Sequence, residues 1–194
     1  LIAYGYIGYM PPIEDLENPK DKFASEIYSS DMEVLGRYYQ SKANRVYVTY
    51  KELSPDLVDA LIATEDIRFR EHSGIDAKAL FRAVIKRGLL FQKSAGGGST
   101  ITQQLAKLLF SPNAENIMER LFQKPIEWVI AVQLERFYTK EEIVNMYLNK
   151  FDFLNNAVGI QSAAQIYFNT TPDKLKIEEA ATLVGMCKNP SYFN

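Results

Sequence analysis

Two stretches decide the fold and the chemistry of this chain: residues 63–76 read ATEDIRFREHSGID, and residues 96–110 read GGGSTITQQLAKLLF. Both belong to segments whose apolar residues recur at helical spacing, which predicts helices packed on a core. Both also place polar, reactive side chains at positions where that spacing predicts apolar ones. This conflict between pattern and residue type is the main functional signal of the sequence.

The first stretch ends a predicted helix that starts with Ser54 as its N-cap and Pro55 at its first position. The apolar residues of this helix form one stripe, and Glu65 continues the stripe. We therefore expect its carboxylate to point inward. A carboxylate in apolar surroundings either pairs with a neighbour, such as Arg68, or acquires the raised pKa that suits a general base.

The second stretch has the composition of an anion-binding loop. Three glycines at positions 96–98 leave backbone N–H groups accessible, and Ser99 opens a helix whose positive end favours a phosphate. The predicted buried side of that helix carries Ile101, Leu105, Leu108 and Leu109. The predicted open face carries Thr100, Gln103, Gln104 and Lys107. The alternative interpretation is a flexible turn before an ordinary surface helix.

Composition bounds the class of protein. The chain has 194 residues with 47% hydrophobic and 24% charged side chains, which predicts one folded domain with a sizeable core. Its net charge of -2 gives no support for nucleic-acid binding. The single cysteine, Cys187, excludes an internal disulfide, and with a single histidine the chain lacks a zinc-type cluster.

The other segments predict a mostly helical chain after an N-terminal β ribbon. Period-two alternation in residues 26–50 predicts the ribbon, with no reactive cluster in it. Residues 76–93 predict a basic amphipathic helix, either a solvated charged face or a segment that lies on an anionic membrane. Thr139 is predicted to begin a later helix through a capping box with Glu142.

Residues 115–138 predict a long helix with Pro125 inside it. Arg120, Lys124 and Glu127 fall on one face of this helix. On spacing alone, this face is typical of a solvated salt-bridge ladder.

The two opening stretches resemble signature motifs of the family 51 glycosyltransferases, the peptidoglycan glycosyltransferase domains of class A penicillin-binding proteins. The pattern EDxxFxxHxG matches Glu65, Asp66, Phe69, His72 and Gly74, and GGSTITQQxxK matches residues 97–104 and Lys107. The third motif, RKxxE, aligns on Gln123, Lys124 and Glu127, so Gln123 replaces the arginine of the family. The family usually has Asn where this chain has Leu108. The resemblance covers roughly residues 53–194.

The resemblance implies a mainly α fold: a lysozyme-like helical lobe and a smaller membrane-facing lobe, with the short β ribbon before them. Residues 1–25 would be a juxtamembrane linker, 26–50 the ribbon and 51–194 the glycosyltransferase domain. The implied reaction polymerises lipid II into β-1,4-linked glycan strands with inversion and release of a lipid pyrophosphate. The implied catalytic residues are Glu65, as general base, and Glu127, which orients cations or holds a divalent metal such as Mg or Mn.

The implied substrate-binding residues are Asp66, Phe69, His72, Gly98, Ser99, Thr100, Gln103, Gln104, Lys107, Arg120 and Lys124. No cofactor is otherwise implied. We expect the protein to work at the extracytoplasmic face of a bacterial membrane, with LIAYGYIGYMPP at residues 1–12 as the outer end of an anchor helix. The resemblance also allows for a transpeptidase domain after Asn194.

Two other functions are compatible with the residue pattern. A muramidase also uses two carboxylates in a helical fold, although it does not need an anion cradle followed by Lys107. A catalytically silent glycan-binding scaffold would keep the cleft without turnover.

Overall fold

Helices account for most of the structure, a computed structural model that describes residues 25–31, 34–38, 46–85, 98–110 and 117–188. Within these ranges there are seven α-helices: α1 (Pro55–Glu65), α2 (Ala77–Val84), α3 (Ile101–Phe110), α4 (Ile117–Phe137), α5 (Lys140–Lys150), α6 (Ile160–Phe168) and α7 (Ile177–Lys188). Short 3-10 helices occur at Tyr50–Glu52, Phe69–Glu71 and Pro172–Lys174. The prediction of a mainly α chain is confirmed.

Local capping chemistry explains where two of these helices begin. Helix α1 starts at Pro55, and the carbonyl of Ser54 accepts the N–H groups of Leu57 and Val58. Helix α5 follows Thr139, whose backbone N–H and hydroxyl both donate to the Glu142 carboxylate at 2.7 and 2.9 Å. The start of α1 at Pro55, directly after Ser54, and the capping box of Thr139 and Glu142 were both predicted from the sequence, because each depends on residues within one helical turn.

The N-terminal ribbon is shorter than predicted. Strands β1 (Ser25–Tyr28) and β2 (Val34–Tyr38) pair antiparallel, with an irregularity between Ile27 and Tyr28. Residues 46–49, which also alternate in sequence, are not a strand. The N–H of Val48 instead donates to the side-chain carbonyl of Asn149, whose amide donates back to the Val48 carbonyl, both at 2.9 Å. A buried side-chain amide thus takes the place of a partner strand.

The chain divides into two compact units. The first contains the described residues of Glu65–Ile143, and its core includes the fully buried side chains of Phe69, Leu105 and Leu134. Helices α3 and α4 pack on each other in this unit. Gly74 lies against the backbone of Ala131 with φ +89, and a Cβ there would come within 2.7 Å of the Ala131 carbonyl, so only glycine fits.

The second unit contains the described residues of Lys20–Thr64 and Val144–Asn194. Its core includes Tyr147, Leu148, Phe153 and Leu183, all with no measurable exposure. Cys187 is buried in this unit. Gly159, at φ +82, precedes α6 and lies against the Asn149 carbonyl, where a Cβ would come within 2.8 Å.

Several predicted features lie outside the described residues: the anchor at 1–12, residues 86–93 of the basic helix, the glycines at 96 and 97, and the side chain of Arg120. Among the described helices, none has the length and apolar character needed to cross a bilayer.

Candidate active site

Glu65 lies at the C-terminal end of α1, with its side chain half-buried. Its Oε2 accepts a hydrogen bond of 2.9 Å from the side-chain amide of Gln104 on α3. Its Oε1 is buried and has no hydrogen-bond partner in the described part of the chain. One oxygen is therefore fixed by the protein, while the lone pairs of the other stay available to accept a proton.

Asp66 occupies the N-terminus of α3, where the sequence predicted a phosphate. One carboxylate oxygen accepts the Ile101 N–H at 3.1 Å, and both oxygens lie 3.0 Å from the Nε2 atom of His72. The side chain is only 4% exposed. The positive end of the helix dipole is therefore neutralised by the protein's own carboxylate. The Asp66 carboxylate already occupies the helix N-terminus. A phosphate bound in this region therefore needs hydrogen-bond donors or cations other than the first N–H groups of α3.

Thr100 and Gln103 cap α3 and are not on an open face. The Thr100 hydroxyl donates to the Gly74 carbonyl at 2.7 Å and accepts the Gln103 N–H at 3.1 Å. The Gln103 side chain accepts the Thr100 N–H at 3.3 Å, which completes a capping box. Both residues are at most 2% exposed, so the predicted polar face is smaller, with half-buried Gln104 and exposed Lys107 on it. The predicted buried side also differs, because Leu108 is 42% exposed.

A second network supports the loop that carries His72. Lys140 donates to the His72 carbonyl at 2.6 Å and to Glu135 at 2.7 Å, and its ammonium lies 4.2 Å from the centre of the buried Phe69 ring. Thr102 donates to the same Glu135 carboxylate at 2.6 Å. Thr102, Glu135 and Lys140 were not predicted as site residues from the sequence. No local pattern links them, since they lie on three helices.

The cationic part of the site lies where the start of the α3 segment meets α4. The Lys124 ammonium donates to the Glu127 carboxylate at 2.8 Å and to the Ser99 hydroxyl at 3.2 Å. Glu127 is buried with a 3% exposed side chain, whereas Lys124 remains 47% exposed. Glu127 therefore holds the lysine on one side and leaves it open to a ligand on the other. Spacing alone predicted a solvent-exposed salt-bridge ladder on this face of the helix. The Lys124–Glu127 pair differs from that prediction, because its carboxylate is buried.

The stretch from Ser99 to Gln104 joins the acidic and cationic halves of the site. Ser99 contacts Lys124 at one end of the stretch, and Gln104 contacts Glu65 at the other. Gly98 precedes it and packs against α2, where a Cβ would lie 3.3 Å from that of Ala83. The arrangement can bind an anion through lysine while it offers a carboxylate oxygen to a hydroxyl proton.

The described side chains do not form a metal site around Glu127. No group of three or more His, Cys, Asp or Glu side chains is suitably placed in the described ranges. The Glu127 carboxylate is paired with an ammonium, which competes with any cation for its oxygens.

Similarity to known proteins agrees with the motifs. A family model described as Transglycosylase matches residues 31–194. Penicillin-binding protein 1A of Escherichia coli (strain K12) is 38% identical over 98% of this chain and 22% of its own length. Penicillin-binding protein 1A of Pseudomonas aeruginosa is 35% identical over 99% of this chain and 23% of its own length. Penicillin-binding protein 1F of Bacillus subtilis (strain 168) is 42% identical over 78% of this chain and 20% of its own length. The chain spans about a fifth of the length of these curated relatives.

Proposed function

The chain belongs to the transglycosylase family, and on that premise we propose that it polymerises lipid II into β-1,4-linked glycan strands. The donor is the growing lipid-linked strand, the acceptor is lipid II, and the released product is a lipid pyrophosphate. The reaction takes place at the extracytoplasmic face of a bacterial membrane. The observation that carries this proposal is the half-buried Glu65, with one oxygen bound by Gln104 and the other unpartnered within the described residues.

Glu65 acts as the general base. Its Oε1 takes the proton from the 4-hydroxyl of the acceptor N-acetylglucosamine. The hydroxyl oxygen then forms a bond to the anomeric carbon of the donor N-acetylmuramic acid from the face opposite the pyrophosphate. The bond between that carbon and the pyrophosphate oxygen breaks, so the configuration inverts.

Cations stabilise the pyrophosphate as it leaves. A pyrophosphate is already acidic, so it needs charge neutralisation more than a proton. Lys124 is held by Glu127 with half of its side chain exposed, and Ser99 adds a hydroxyl beside it. Lys107 is exposed one helical turn after Gln104, and Arg120 lies one turn before Lys124. We assign these four residues to the pyrophosphates of the two substrates.

The other motif residues position this machinery. Asp66 and His72 hold the first motif against the start of α3, and Thr100 and Gln103 fix that helix start. Phe69 packs beneath the Lys140 ammonium. Glu127 serves as the partner of Lys124, and we assign no reaction step to a metal ion there.

The muramidase alternative is less well supported by this geometry. A glycosidase needs a protonated carboxylic acid beside the leaving oxygen as well as a second carboxylate. Asp66 accepts the Ile101 N–H and Glu127 accepts the Lys124 ammonium, so the oxygens of both carboxylates are already engaged by the protein's own groups.

Two incubations test the proposal. With labelled lipid II we expect long glycan products and released lipid pyrophosphate. With preformed glycan strands and no lipid II we expect no fragments. Fragments in the second incubation without polymer in the first would identify a hydrolase. A folded protein inactive in both would identify a binding scaffold.

A further inference from the structure

A groove follows the face of α4 that points away from Glu127. It encloses about 470 Å³, and its apolar walls come from Ile75, Pro125, Trp128, Val129 and Val132. The helical residues recur three or four positions apart and therefore share one face, whereas Val129 lies two positions from Glu127 and so points to the opposite side. The groove is thus separate from the candidate active site.

The polar groups of the groove are concentrated at one end. Arg136 and Gln133 complete the lining, three positions apart near the end of α4. The Arg136 side chain is exposed and makes no hydrogen bond or ion pair within the described residues. Oε1 of Gln133 is buried and lacks a partner there as well. The distance from Pro125 to Arg136 along the helix is ~16 Å, eleven residues at 1.5 Å each.

We propose that this groove binds a single-chain lipid with a phosphate head group. The apolar walls match the hydrocarbon chain, whose removal from water favours binding. The phosphate matches Arg136, whose guanidinium suits phosphate oxygens. Gln133, which lines the same end of the groove, adds a polar side chain beside the phosphate. A volume of 470 Å³ is within the range of small-molecule sites.

Trp128 is the only tryptophan of the chain and lines the groove, so its fluorescence reports binding. The probe is decyl phosphate, kept below its micelle concentration and titrated into the folded 194-residue chain. Decanol and inorganic phosphate are matched probes that each lack one half of the ligand. We expect a saturable shift of the emission with decyl phosphate, a weaker response to decanol and no response to inorganic phosphate.

Three variants make the assignment specific. Arg136→Ala should raise the Kd for decyl phosphate about 2- to 5-fold and leave that for decanol unchanged, because an exposed charge pair contributes little. Val132→Glu should raise both Kd values roughly tenfold or more, because it puts a charge into the apolar wall. Arg70→Ala, which removes an exposed arginine outside the groove, should change neither. Far-UV circular dichroism checks that each variant is folded.

The proposal concerns binding, so its outcome is independent of polymerisation activity. An emission spectrum that decyl phosphate leaves unchanged would overturn it. Equal Kd values for Arg136→Ala and the parent would also overturn it, because the head group would then not be recognised by that residue.

Discussion

At the scale of single residues, the site depends on which carboxylate does which task. Glu65 and Asp66 are adjacent in sequence, yet Asp66 has all its oxygens bound to His72 and to the start of α3, whereas Glu65 keeps one oxygen unpartnered among the described residues. Only the arrangement of Glu65 leaves a carboxylate lone pair to accept a proton from the substrate. The two residues are neighbours in the chain, so local sequence does not distinguish them. The difference comes from the distant residues that each side chain contacts.

Gln104 should position the Glu65 carboxylate in addition to binding substrate. Replacing it in Gln104→Leu removes the N–H donor to Oε2, and we expect kcat to fall about tenfold, the range for a hydrogen bond to a charged group. Steady-state polymerisation of lipid II measures this loss. Gln165→Leu, on the surface of α6, is the control and should keep the kcat of the parent. A Gln104→Leu protein with the parent's kcat would contradict a positioning role.

Asp66 should matter chiefly for stability. Asp66→Ala leaves the Ile101 N–H and the buried His72 ring without their partner, which we expect to lower the free energy of unfolding by about 2–4 kcal/mol. Urea denaturation measures this loss. The control, Asp59→Ala, alters an exposed aspartate of α1 and should stay within about 0.5 kcal/mol of the parent. An Asp66→Ala protein as stable as the parent would show that the carboxylate does not anchor α3.

At the scale of elements, helix starts explain much of the arrangement around the site. Helix α2 begins after Asp76, whose carboxylate accepts the Ala79 N–H at 2.9 Å and pairs with Arg68. Burial alone would raise the pKa of Asp76, but the Ala79 N–H, Arg68 and the charge of His72 together hold this pKa below its usual value. The cap therefore also ties α2 to the loop that carries the first motif.

Because the pKa of Asp76 is lowered in the folded state, its contribution is present above the unfolded pKa of ~3.9 and is lost as the pH falls towards the folded value. Asp76→Ala should cost about 1 kcal/mol at pH 7, as for other N-caps. The difference from the parent should shrink between pH 5 and pH 3. Urea denaturation at pH 7, 5 and 3.5 checks this. A difference that stays constant over that range would contradict the assigned pKa direction.

The sequence predicts those elements whose signals are local. Ser54, Thr139 and Glu142 act within one helical turn, and their helices begin as expected. The strand expected around Val48 is absent because its backbone pairs with Asn149, 101 positions away. Similarly, helical spacing predicted that Gln103 shares an open face with Gln104. The Gln103 side chain instead accepts the Thr100 N–H at the start of α3. Roles set by distant partners, such as those of Asp66 and Glu135, have no local signature.

At the scale of the whole molecule, every candidate site residue whose side chain is described belongs to the unit of Glu65–Ile143. The same unit carries an exposed basic and aromatic surface on α2, formed by Lys78, Phe81 and Arg82. Phe81 is 67% exposed, which is unusual for a phenylalanine on a helix of a folded domain. A substrate carried by a lipid requires that the protein work close to a bilayer, and this surface has the composition to contact one.

Phe81→Glu should therefore weaken membrane binding. Removing the ring and adding a negative charge should lower the bound fraction on anionic vesicles by roughly tenfold, since burying one aromatic ring contributes about 1.5–3 kcal/mol. Vesicle flotation measures the bound fraction. Ile177→Glu is the matched control, because Ile177 is similarly exposed at 64% but lies in the other unit. Equal losses in both variants would argue against a specific contribution of α2.

The most direct test of the proposed mechanism, in which Glu65 is the general base, is the rate at which Glu65→Gln polymerises lipid II. The substitution keeps the shape of the side chain and its contact with Gln104 but removes the base. We expect kcat to fall on the order of 10²- to 10⁴-fold with little change in the free energy of unfolding. A folded Glu65→Gln protein that polymerises lipid II near the parent rate would contradict the account.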